Sequence, residues 1–156
     1  MAAYALTNQN AGTPQAMSTS FKTLLNLSAS NAVQLSRAEI NEFIMGVDGT
    51  PADQAMSWNV SRTSAIGTGT SSTPVALDPA DGATLMVGTV NHTGEPTVTG
   101  ASGLLDIALN QRTTHRWLAQ PGQELIVPST NLAGICLRAK SPGYTGVVTA
   151  TLHFHH

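Results

Sequence analysis

Val148, Ala150, Leu152 and Phe154 alternate with Thr149, Thr151, His153 and His155, and this period of two recurs along the 156-residue chain. Met56, Trp58 and Val60 alternate with Ser57, Asn59 and Ser61, while Leu105, Ile107 and Leu109 alternate with Asp106, Ala108 and Asn110. Such a period sends one set of side chains to a buried face and the other outward, as in a half-buried β-strand. The runs are short and closed by turn residues, among them Asp78-Pro79-Ala80-Asp81-Gly82, Pro121-Gly122 and Ser141-Pro142-Gly143. The expected class is all-β, with about eight or nine short strands in a sandwich or barrel rather than a parallel α/β sheet.

The length fits one domain, expected over residues 18–156. Residues 1–17 are polar and irregular around Asn8-Gln9-Asn10-Ala11-Gly12-Thr13-Pro14 and read as an N-terminal arm. The first strand is expected around Phe21, Leu25 and Leu27, followed by a turn at Ser28-Ala29-Ser30-Asn31. A second extended stretch runs from Val33 to Met45, where the apolar register shifts between Leu35 and Ile40, as a β-bulge would produce. Ala38, Ile40, Phe43 and Ile44 also fit helical spacing, so a short helix is the alternative there. Trp58, sharing its face with Met56 and Val60, is expected to point inward. Arg116-Trp117-Leu118 reads as a continuation of the Leu105–Leu109 region.

Charged residues make up 10% of the chain, against about 25% in ordinary globular domains. The seven Lys and Arg residues are dispersed and the net charge is −2, so the basic stripe of a nucleic-acid binder is missing. No basic-then-apolar leader and no apolar run of about 18 residues occurs, which argues against a signal peptide and against membrane insertion. The sequons at Asn26, Asn59 and Asn91 therefore read as chance matches. Cys136, the one cysteine, sits in the apolar run Gly134-Ile135-Cys136-Leu137 and reads as a small buried hydrophobe.

Candidate chemistry is sparse. His153 and His155 share one strand face and could clip a metal, with His156 beside them. Only His92 and His115 remain as further imidazoles, so a polar outward face explains them better. Asp78 and Asp81 lack the ligand spacing of a calcium loop and fit Asx-turn chemistry, as do Asp48 and Asp53. Gly67-Thr68-Gly69-Thr70-Ser71-Ser72 lacks the Lys and following helix of a phosphate loop. Arg112 and Arg116 flank Thr113-Thr114-His115 beside Trp117; they either cover the tryptophan or pair a carboxylate, or they contact another subunit. No Gly-x-Ser-x-Gly elbow occurs. The expectation is a non-enzymatic protein with no catalytic residue, cofactor or metal ligand.

Several segments taken in order resemble small virion proteins of tailed bacteriophages, the capsid decoration or cement proteins. They are Phe21-Lys22-Thr23-Leu24-Leu25-Asn26-Leu27, Gly46-Val47-Asp48-Gly49-Thr50-Pro51-Ala52-Asp53, and Trp58 with Arg62-Thr63-Ser64-Ala65-Ile66-Gly67-Thr68-Gly69. Leu77-Asp78-Pro79-Ala80-Asp81, Asn110-Gln111-Arg112, Arg116-Trp117, Pro121-Gly122 with Glu124-Leu125, and Leu137-Arg138-Ala139 before Ser141-Pro142 continue the series. Residues 1–17 and the closing His153 to His156 depart from the pattern. The resemblance implies a jelly-roll-like β-sandwich on the capsid exterior, made in the bacterial host cytoplasm, bound to the major capsid protein and carrying no catalytic residues. A homotrimer would match the local three-fold axes of a shell. The competing expectation is a carbohydrate- or receptor-binding β-sandwich on a phage fibre or cell surface. That reading needs an exposed aromatic platform, and Trp117, Tyr4 and Tyr144 are the residues left to provide one.

Overall fold

The computed structural model describes residues 1–9, 11–29 and 36–156. Asn10, the turn residues Ser30 and Asn31, and the Val33–Leu35 start of the expected second stretch lie outside the described residues. Among the described residues twelve strands form two six-stranded sheets in which every pairing is antiparallel. The first sheet contains β1 (Ala3–Thr7), β3 (Ala38–Val47), β6 (Val75–Ala76), β9 (His115–Leu118), β10 (Leu125–Val127) and β12 (Val148–His155). Its order is β10-β3-β12-β1-β6, with β9 also paired to β3. The second contains β2 (Lys22–Ser28), β4 (Ala55–Ala65), β5 (Thr68–Ser71), β7 (Val87–Gly94), β8 (Thr97–Asn110) and β11 (Gly134–Lys140), in the order β5-β7-β2-β11-β4-β8.

The pairings nest. β1 pairs with β12, β2 with β11, β3 with β9 and β10, and β4 with β8. Strands β5, β6 and β7 are inserted between β4 and β8 and extend the far margins of both sheets. One hydrophobic cluster fills the space between the sheets, with Leu6, Phe43, Leu152 and Phe154 from the first packed towards Leu25, Leu27, Trp58 and Leu137 from the second. Burial of each such side chain stabilises by about 1.5–3 kcal/mol.

The count exceeds the expected eight or nine because β5, β6, β9 and β10 have only two to four residues. Runs that short carry no readable alternation. Residues 38–47 form a strand, and no helix occurs among the described residues. Trp58 is 3% exposed and shares its inward face with Met56 and Val60. Arg116-Trp117-Leu118 does not continue β8. Residues 111–114 carry the chain across to the other sheet, where β9 pairs with β3. Gln111 anchors that crossing: its side chain donates to Ser141 Oγ at 3.1 Å and accepts from Ala52 N at 3.1 Å.

Residues 1–17 are not an arm. β1 lies between β12 and β6, Tyr4 and Leu6 are buried, and the Tyr4 ring stacks on Phe154 at 5.4 Å. The polar residues that follow are built in as well. Buried Asn8 donates to Val148 O and accepts from Ala150 N, each at 2.9 Å. Asn91, in the left-handed region at φ 49°, donates back to Asn8 O and Ala11 O at 2.8 Å. Carboxamides here replace ladder hydrogen bonds, so a segment that reads as loop by composition is part of the sheet margin.

Two outcomes follow. Trp58→Ala should lose about 3–5 kcal/mol in denaturant unfolding, as for a large core truncation; a midpoint unchanged from the parent would contradict its burial. Deleting residues 1–7 should abolish the cooperative thermal transition, because Leu152 and Phe154 lose their cover. A truncated chain melting within a few degrees of the parent would show β1 to be dispensable.

Candidate functional site

Residues paired directly across antiparallel strands project to the same face. One row across the first sheet reads Val75, Ala5, His153, Glu42 and Leu118. It lies on the face turned away from the core, since Leu152 and Phe154 on either side of His153 point inward. Glu42 reaches this face through a bulge. His153 pairs with Glu42 and Phe154 with Ile40, leaving Asn41 as the extra residue. Ile40 and Phe43 thus both enter the core while Glu42 turns outward, a re-aiming typical of bulges. The shift expected between Leu35 and Ile40 begins outside the described residues.

Glu42 joins three strands there. Its Oε2 lies 2.5 Å from His153 Nδ1 on β12, and its Oε1 accepts a hydrogen bond from Arg116 Nε on β9. The Glu42 side chain is 8% exposed and that of Arg116 is 63% exposed. Burial alone would raise the Glu42 carboxyl. Hydrogen bonds from His153 and Arg116, with the charges of both groups, outweigh it and hold the carboxyl below its ordinary range. In the neighbouring row Glu39 pairs with His155 and forms an ion pair with Arg37 at 2.5 Å. In a charge-poor chain, this face gathers two carboxylates, two guanidiniums and two imidazoles, and three ion pairs link Glu39 to Arg37 and Glu42 to Arg116 and His153.

Arg116 pairs a carboxylate rather than stacking on the tryptophan, since Trp117 turns to the opposite side and packs 5.7 Å from Phe43. Arg112 is exposed in the β8–β9 connection. His153 and His155 share a face, but His153 is engaged by Glu42 and His156 bonds Ser36 and Thr84. Among the described residues no group of three or more His, Cys, Asp or Glu is placed to hold a metal ion.

The outer face of the second sheet carries a buried polar seam. Thr63 donates to Asn26 at 3.2 Å, and Asn26 donates to Ser28 at 3.0 Å. Ser61 and Arg138 both donate to Asn59 Oδ1 at 2.6 Å, and Asn59 Nδ2 donates to Asp106 at 2.7 Å. Cys136 pairs with Asn26 and Ser61, which places it on this face rather than in the core; burial pushes its thiol up to about 11. Arg138 and Lys140 sit 4.5 and 4.7 Å from the Phe21 ring centre. The sequon asparagines Asn26, Asn59 and Asn91 are all buried, so none presents an accessible acceptor.

The loops account for the remaining motifs. Asp78 Oδ1 accepts from Ala80 N at 2.9 Å, an Asx turn. Gly67, at φ +75°, lies where a Cβ would come within 2.6 Å of Gly94 O, so the Gly-rich stretch serves a close backbone approach. An open cleft of about 570 Å³ between residues 48–50 and 143–147 is floored by Tyr144, whose hydroxyl donates to Asp48 O. None of the four Trp and Tyr rings is exposed: Trp58, Tyr4 and Tyr144 are buried, and Trp117 is half-buried. No family model, curated protein or solved structure matches the chain.

These groups define how stability responds to pH. Burial lowers the pKa of His92 and His156, so the unfolded chain protonates first and stability falls as pH drops below about 6.5. Glu42 acts lower: its contribution is present above the unfolded value near 4.5 and is lost as pH falls through its depressed folded value. Denaturant midpoints should therefore decline in two stages. Glu42→Gln should lose about 1–3 kcal/mol at pH 7 and flatten the lower stage; an unchanged midpoint at pH 7 would mean that solvent already screens the pairs.

Proposed function

We propose that this protein is a structural component of a virus particle, a capsid decoration protein that binds the outer surface of the major capsid lattice of a tailed bacteriophage and reinforces the head. The nested strand pairing carries the reading. The pairing of β1 with β12, β2 with β11, β3 with β10 and β9, and β4 with β8 supports a jelly-roll wrapping, an architecture common to capsid and lectin domains. The extra strands β5, β6 and β7 are then an insertion in its fourth connection. Withdrawal of all four Trp and Tyr rings favours the capsid branch over the lectin branch, since a sugar site needs an open aromatic platform.

The surface chemistry supports the same choice. Ionic groups on the first sheet are already paired, so a partner can cover them without stranding a charge. Ser, Thr and Asn side chains suit broad, wet, hydrogen-bonded contacts, and many modest contacts on one lattice sum through avidity.

Purified protein should co-sediment with capsids prepared without it, and raising the salt should weaken binding only mildly, because few charges are open to screening. Protein that never pellets with such shells yet is retained on a glycan array would overturn this reading in favour of a carbohydrate-binding module.

A further inference from the structure

Four margins end the two sheets: β6 and the β9/β10 pair on the first, β5 and β8 on the second. Natural sheets avoid adhering to one another by keeping edge strands short, interrupted or charged. Three of these margins obey. β6 has two residues and β5 four, while β9 and β10 have four and three and are separated by residues 119–124. β8 has fourteen.

The half of β8 before Gly103 is irregular, since Gly103 pairs with Ser61 but Val98 with Thr63. From Leu105 to Asn110 its pairing with β4 is unbroken. Residues 104–110 contain no Lys, Arg or Pro. The single charge, Asp106, lies in the outer row, where it accepts from Asn59, and the row that continues the core carries none. Leu105, Ile107 and Leu109 pack against the core yet remain only half-buried, as do Trp117 and Leu125. Arg62 on β4 bonds Ile126 O on β10 at 2.8 Å, which sets the β8 and β10 margins on the same flank. The core is incompletely covered on that flank.

We infer that β8 is a self-association edge: two copies pair antiparallel through residues 104–110 about a two-fold axis at Ile107, joining their second sheets into one. The occupant follows from self-complementarity. Centred on Ile107, Leu105 faces Leu109 of the second copy and Ile107 faces itself, while outward Asp106 faces Ala108. Centring on Asp106 would oppose two like charges. Centring on Leu105 would draw in the irregular half. Centring on Ala108 would leave Leu105 opposite Gln111, which is already bonded to Ala52 and Ser141. This contact is isologous and closes at two copies. It stands independently of capsid binding.

Sedimentation equilibrium on the full chain, with Ala108→Asp and Ala108→Lys, tests both the state and the register. Ala108 is exposed, so both variants should keep the parent's circular dichroism. The parent should sediment as a dimer. Ala108→Asp places a carboxylate opposite Asp106 twice per dimer and should raise the dissociation constant about fivefold or more, whereas Ala108→Lys should leave it unchanged or lower it. Ile107→Cys should form a covalent dimer on oxidation, because the two Cα atoms would lie within disulfide range, and native Cys136 is buried. A parent that is monomeric or trimeric at about 0.1 mM overturns the proposal, as do equal shifts in the two Ala108 variants.

Discussion

Ala2 and His156 exchange backbone hydrogen bonds of 3.2 and 3.0 Å, so the two ends of the chain close a single ladder. β12 then runs between β1 and β3 and gives the first sheet its centre. Its inward residues Val148, Ala150, Leu152 and Phe154 are fully buried. Without β12 the first sheet would split into β1 with β6 on one side and β3 with β9 and β10 on the other. Neither fragment is more than two strands wide, since β9 and β10 lie one after the other along the same edge of β3, which is too narrow for a stable apolar face. The second sheet depends on this indirectly, because Leu25, Leu27 and Trp58 bury against a surface that β12 organises.

What was legible in the sequence followed the strength of the alternation. Met56-Trp58-Val60 and Val148-Ala150-Leu152-Phe154 have clean periods and became central or near-central strands. β1 has the same period but only two large inward residues, Tyr4 and Leu6, and it leads into a polar stretch whose Asn8 and Asn91 bond the backbone through their carboxamides. Composition treats those amides as loop formers, whereas the fold uses them as ladder rungs. The Glu42 cluster was illegible for a different reason. Glu42, Arg116 and His153 are 37 or more residues apart, and only the bulge at Asn41 brings the carboxylate to the correct face. Of its members, Arg116 and His153 were singled out as residues, but nothing local links them to each other or to Glu42.

The scarcity of charge acquires a structural meaning in the two outer faces. On the first sheet, each of the three ion pairs found among the described residues is made within that face. On the second, hydroxyls and carboxamides satisfy one another in a buried seam beside Cys136. Both arrangements lower the cost of covering the surface with another protein, since a partner displaces water without separating a charge from its counter-charge. That property fits a protein that works by contact, and it is consistent with the capsid role proposed here.

The nesting of strands also orders events in time. β5 and β7 form the innermost pair, with β4 and β8 next around it, and once these join, the chain segment separating β3 from β9 is effectively shortened; each pairing does the same for the next one outward. Assembly can therefore proceed like a zipper that runs from the middle of the chain towards its ends. The outermost rung is β1 with β12, and β12 is made after every other strand described. Until β12 is made, β1 waits with no ladder partner on that side, so a chain caught before that point is more adhesive than the closed sandwich.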